Sequence, residues 1–223
     1  LHWKQGKKNP GGSVPTGSFK KIQFFIIQEC GGRRRKMKLL FATGNAGKLA
    51  EAQKVLAARG IQVKSLPLSL TEPDAGSVEE VARMKLRQVM ERGIDGVMVD
   101  DAGIFFAAWP GFPGVLTKRV FDLLGYRGIR KLLAGERREA WFEGCVAVSW
   151  QGETKVFCGR TDGRIIEEIY DDLTPVPGFP FDPLFVPVGE STVLRDLPEE
   201  RRLFHSYRRK ALEQLADWLA SKK

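Results

Sequence analysis

From residue 37 onward the chain alternates short Val- and Ile-rich runs with stretches whose apolar residues recur every three to four positions. That alternation commits it to an α/β fold, with strands joined by helices. Residues 38–42 read as a strand, followed by the loop Thr43-Gly44-Asn45-Ala46-Gly47-Lys48 and a helix carrying Leu49, Ala52, Val55 and Leu56 on one face. A second strand (61–66), an acidic Pro-containing loop (67–76) and a second helix (78–92) follow. Residues 97–99 read as a buried strand that delivers Asp100 and Asp101 to its C-terminal end. A Pro/Gly-rich turn (109–114) precedes a helix at 117–124, and residues 140–150 and 154–159 read as a hairpin turning at Gln151-Gly152. After the loop 175–183 and a strand at 184–188, the chain closes on a helix with Ala211, Leu212, Leu215, Ala216 and Leu219 at helical spacing.

At 223 residues the chain can bury a substantial single core, and no apolar run approaches a membrane span. The formal charge of +9 invites a nucleic-acid reading, but it is unevenly placed. Residues 1–36 hold nine Lys and Arg against Glu29 alone, so the body is nearly neutral. Those residues are rich in Gly, Pro, Ser and Lys, and read as a basic leader outside the core, disordered or vector-derived. Cys30, Cys145 and Cys158 have no metal-ligand spacing and read as buried, reduced thiols of a cytoplasmic protein.

Two features carry chemistry. Adjacent carboxylates at the end of a strand repel each other unless a cation or a proton lies between them, and in α/β proteins that end of the sheet is where ligands bind. The loop 43–48 lies between a strand and a helix, where glycines, a helix N-terminus and Lys48 together suit a phosphate. It lacks the spacing of a Walker A loop. A third signal is Lys85, which shares the apolar stripe of its helix with Val81 and Ala82 and so calls for an anionic ligand or a carboxylate partner.

The order of the motifs is more specific than any one of them. Thr43-Gly44-Asn45-x-x-Lys48, Val78-Glu79-Glu80-Val81-Ala82-x-x-Lys85, Val99-Asp100-Asp101-Ala102-Gly103, Gly111-Phe112-Pro113-Gly114-Val115, Gly178-Phe179-x-x-Asp182-Pro183-x-Phe185 and a basic stretch at 206–211 occur in that sequence. This resembles the inosine triphosphatase (Ham1-like) family of nucleoside triphosphate pyrophosphatases, across residues 37–223. The resemblance implies an elongated, twisted mixed sheet flanked by helices, with two lobes and a central cleft. It also implies a cytoplasmic, Mg²⁺-dependent homodimer that hydrolyses ITP, dITP and XTP to the monophosphate and pyrophosphate, with no membrane and no specific nucleic acid as partner. By position, Thr43, Asn45, Lys48 and Lys85 would hold the triphosphate. Asp101 would bind Mg²⁺ or orient water together with Asp74 or, alternatively, Glu72. Either Asp100 or Asp101 would act as base, Phe179 would stack on the purine, and Asp182 would line the base pocket.

The chain departs from the family pattern in three places. Ala102 stands where Ser or Thr is usual, and Pro180-Phe181-Asp182-Pro183 replaces Gly-Tyr-Asp-Pro. The base-reading Ser-His-Arg becomes either Ser206-Tyr207-Arg208 or a shifted loop using His205, with Arg208 as donor to a keto oxygen or phosphate. These changes bear on base preference more than on hydrolysis, and they leave a purine nucleotide-binding protein of weak or altered specificity as the alternative.

Overall fold

The computed structural model describes residues 37–71 and 75–222. The basic leader, and with it Cys30, lies outside the described residues, as do Glu72 and Asp74. The elements run β1 (Met37–Phe41), α1 (Ala46–Ala57), β2 (Ile61–Ser65), α2 (Val78–Met90), β3 (Val97–Phe106), α3 (Thr117–Leu132), β4 (Glu139–Trp150), β5 (Glu153–Ile165), β6 (Phe185–Pro187), α4 (Glu199–His205) and α5 (Tyr207–Ala220). Helix α3 kinks at Gly125, whose φ of 56° no helix accommodates.

One mixed sheet has the order β2-β1-β3-β4-β5-β6. It is parallel from β2 through β1 to β3 and antiparallel from β3 to β6. The apolar period of two along β3 decides which helix covers which face. Met98, with Val146 and Val148 of β4, packs beneath α1 and α5 against Leu56, Ala211 and Leu215. Val97 and Val99, with Ala147, pack beneath α2 against Val78, Ala82 and Val89. A third cluster joins Ile104, Phe106 and Phe142 to α3 and to Phe181 and Phe185. Among the described residues no helix is long and apolar enough to cross a membrane.

Two sequence expectations need correction. Strand β3 does not end at Val99 but runs on for ten residues, so the Asp pair sits inside it. Neighbouring strand residues point to opposite faces, and the two carboxylates are therefore separated by the sheet rather than bridged by a shared cation. What ends nearby is β1, whose last pairing is Phe41 with Met98, so the aspartates emerge just beyond its C-terminal edge. The second correction concerns the thiols: Cys145 and Cys158 are joined by a disulfide. The hairpin turn at Gln151-Gly152, both at positive φ, fixes a register that sets Cys145 directly opposite Cys158.

Candidate active site

The site grows from the switch between the parallel and antiparallel halves of the sheet, where open α/β sheets place their ligands. In the loop after β1, the Thr43 Oγ1 accepts from the Asn45 amide at 3.2 Å, and the Asn45 Oδ1 caps α1 by accepting from the Lys48 amide at 3.1 Å. These side chains shape the loop, and neither lines the cavity described below. Lys48, on the first turn of α1, donates from Nζ to Asp100, 3.1 Å from its Oδ2.

Asp100 faces α1 and α5. Arg208, on the first turn of α5, donates through Nε to Asp100 Oδ2 at 2.9 Å and through Nη1 to Glu51 Oε2 at 2.6 Å. Its Nη2 donates to the Tyr207 hydroxyl at 3.1 Å. Only 2 % of Arg208 is exposed, and three of its N–H donors are taken up by Asp100, Glu51 and Tyr207. Burial alone would raise the Asp100 carboxyl, but Lys48 and Arg208, by charge and by hydrogen bond, hold it below the ordinary Asp range. Burial works against the Arg208 charge too, yet Tyr207, Asp100 and Glu51 keep it firmly protonated. The chain Lys48–Asp100–Arg208–Glu51 is thus a buried, alternating-charge strut between α1, β3 and α5.

Asp101 faces α2. Its Oδ1 accepts from Lys85 Nζ at 2.7 Å, which gives the inward-turned lysine the carboxylate its position demands. Here burial pushes the carboxyl up, and the Lys85 charge offsets this only in part. Asp101 therefore takes up a proton more readily than an ordinary Asp, whereas Asp100 is held as an anion.

A cavity of about 340 Å³ opens beside this pair. Lys48 and Asp101 line it together with Phe142, Phe179, Asp182 and Tyr207. The Phe179 loop closes onto the loop after β1 through two glycines. A Cβ on Gly47 would come within 2.7 Å of the Phe179 ring, and one on Gly178 within 2.4 Å of the Asn45 amide nitrogen. Asp182 makes no side-chain hydrogen bond among the described residues, and burial, against the nearby Arg202 charge, pushes its carboxyl up to about 7.

The remaining sequence candidates fall elsewhere. Ser206 caps α5, donating to Glu51 and accepting from the Arg209 amide at 3.1 Å. His205 ends α4, where its Nε2 meets Glu190 Oε1 at 2.6 Å, outside the cavity wall. Tyr207 takes the place in that wall that the sequence left open between Tyr207 and His205. Glu51 was missed, although it lies three residues after Lys48, on the same side of α1.

No group of three or more His, Cys, Asp or Glu side chains converges as a metal site among the described residues. Asp101 remains a hard oxygen donor on the cavity wall. That suits Mg²⁺, which uses one or two protein carboxylates and takes its other ligands from phosphates and water.

A family model described as the Ham1 family matches residues 39–218. The chain is 42 % identical over 184 residues to a dITP/XTP pyrophosphatase of Methanopyrus kandleri, a match covering 82 % of this chain and 96 % of that protein. It is 40 % identical over 185 residues to the dITP/XTP pyrophosphatase of Thermococcus kodakarensis, covering 82 % and 97 % respectively. The fold superposes on that of a HAM1 protein from Coxiella burnetii with a TM-score of 0.67 at 23 % identity, over 83 % of this chain and 99 % of that one. With the motif order, the mixed sheet and a family match over residues 39–218 in agreement, the chain belongs to the Ham1 family.

Proposed function

We propose that this protein hydrolyses the deaminated purine nucleoside triphosphates ITP, dITP and XTP to the monophosphate and pyrophosphate. One observation carries the reading: a single cavity has Lys48 and Asp101 in its wall together with Phe179, Asp182 and Tyr207. Charged groups suited to a triphosphate and an aromatic surface suited to a base thus share one hollow, within the range of small-ligand sites.

The chemistry follows from the residues. Release of pyrophosphate requires water to attack the α-phosphorus in line with the departing oxygen. Asp101, its proton affinity raised by burial, accepts the proton of that water. Lys48 and Lys85 stand on either side of the aspartate pair and oppose the charge that gathers on the leaving pyrophosphate. Mg²⁺, held by Asp101 and by Asp74 or Glu72, would supply charge neutralisation on the triphosphate. Phe179 offers its ring to the purine, and Asp182 its carboxyl to the base edge. Thr43 and Asn45 serve by fixing the loop, so that the amides at the start of α1 face the phosphates.

The same reading includes a homodimer in the cytoplasm, as the family resemblance implies. Light scattering on the purified protein tests the dimer. Pyrophosphate release from ITP, dITP, XTP, ATP and GTP with Mg²⁺ tests the activity. The expected result is turnover of the first three at rates at least ~100-fold above ATP, the scale that unpaired polar groups in a base pocket enforce. Binding of ITP without turnover of any of the five would replace the reading with that of a nucleotide-binding protein.

A further inference from the structure

We infer that Tyr126 is a positioning residue for the base: its hydroxyl holds the Pro180 carbonyl, and through it the turn that presents Phe179 and Asp182 to the cavity. The inference rests on the reading of that cavity as a purine triphosphate site, and it names what keeps the base-facing turn in place.

The turn spans residues 179–182. Its own bond runs from the Asp182 amide to the Phe179 carbonyl at 3.1 Å, with Pro180 and Phe181 between them. Carbonyls sheltered from water need donors, and three of the four here find backbone amides. The Phe179 carbonyl takes the Asp182 amide. The Phe181 carbonyl takes the amides of Leu184 and Phe185 at 2.9 and 3.1 Å, and the Asp182 carbonyl takes that of Arg195 at 3.1 Å. Pro180 is the exception. Its carbonyl accepts from the Tyr126 hydroxyl at 2.9 Å, the one side-chain hydrogen bond to this turn's backbone among the described residues.

Tyr126 is placed for this by its own helix. It follows Gly125, whose positive φ turns α3 aside, and only 4 % of it is exposed. Its ring meets Phe121 edge to face with centroids 5.0 Å apart, and Phe121 meets Phe181 in the same manner at 5.5 Å. Phe121 and Phe181 line the cavity together with Phe179 and Asp182, whereas Tyr126 is not part of the wall. It therefore acts on a base through the turn and not by contact. Burial pushes the phenol above its ordinary value, so it stays protonated and able to donate. Lys48 and Asp101 are held on α1 and β3 by their own ion pairs, which this bond does not touch. Losing the bond should therefore loosen the grip on the base and spare the grip on the phosphates.

The test is steady-state pyrophosphate release from ITP by the full chain, with inorganic triphosphate as a competitive inhibitor that offers phosphates without a base. Tyr126→Phe keeps the ring and its packing and removes the donor. It should raise KM for ITP about tenfold, with kcat and the inhibition constant of triphosphate each within about twofold of native. A merely structural role would weaken triphosphate as well or lower kcat, and either result overturns the inference, as does an unchanged KM. Should Tyr126→Phe not fold, replacing Tyr126 by 4-aminophenylalanine, a weaker donor at the same place, decides by the same comparison. A higher KM for ITP with an unchanged inhibition constant supports the assignment, and a parallel change in both, or none in either, overturns it. Failure of the native protein to release pyrophosphate from any triphosphate is a different result, which removes the underlying reading and the inference with it.

Discussion

Asp100 and Asp101 are neighbours in sequence with the same side chain, on the same strand, each bound to a lysine. Their carboxyls are nevertheless shifted in opposite directions. Asp100 looks toward α1 and α5, where two cations hold it as a permanent anion. Asp101 looks toward α2, where one lysine only partly offsets its burial. The difference comes from strand geometry: one step along β3 moves a side chain through the sheet into another electrostatic environment. Identical residues acquire opposite shifts in proton affinity from the cations on each face.

Substitutions can break this contrast. The largest effect is expected from Asp101→Asn, which removes the proposed base and metal ligand while keeping the shape. Pyrophosphate release from ITP should fall by about 10³-fold with the fold intact by circular dichroism. Activity within tenfold of native would show that the two aspartates are not divided as argued. Asp100→Ala should instead act on stability, because it leaves the buried Arg208 with Glu51 as its sole carboxylate partner among the described residues. Urea denaturation should show a loss of about 3 kcal/mol, in keeping with the removal of one partner of a buried pair. An equal loss in Asp101→Ala would erase the distinction.

Lys48 touches both sides of the contrast, since it is bonded to Asp100 and also lines the cavity. Lys48→Ala should raise the KM for ITP roughly tenfold and lower stability by about 1 kcal/mol. An unchanged KM would confine this lysine to the strut.

Asp182 sharpens the comparison as a half-buried carboxyl with no cation bonded to it among the described residues. Its folded-state pKa of about 7 lies above the unfolded value, so the native state binds the extra proton between roughly pH 4 and 7, and stability falls as pH rises through that window. Asp182→Asn should therefore be more stable than native by about 1–2 kcal/mol at pH 8, with the gap closing near pH 4. Thermal melts at the two pH values measure it, and a gap independent of pH would refute the assignment.

Much of this arrangement was legible before folding. The alternation of apolar runs located most of the strands and helices, because burial period and backbone period coincide, but it ended β3, α3 and β5 six to eight residues early and left out α4. Lys85 announced a carboxylate partner by sitting on an apolar stripe, and Asp101 is that partner. The disulfide was also within reach: a two-residue turn at Gln151-Gly152 sets every cross-strand pair by arithmetic, including Cys145 with Cys158. It was missed because spacing along the chain was weighed without the register. Glu51 was harder. Its partners Arg208 and Ser206 lie more than 150 residues away and meet it only where α1 and α5 pack together.

The sequence by itself determined most of the elements, their order, the family and the inventory of charged groups, since these depend on local periodicity and short-range spacing. Only the tertiary structure decided which aspartate faces which cations, that Arg208 is enclosed within a strut, and that Tyr207 rather than His205 enters the cavity wall. Those outcomes depend on which strand face meets which helix. Side chains far apart in the chain acquire their charge states and directions only when that packing brings them together.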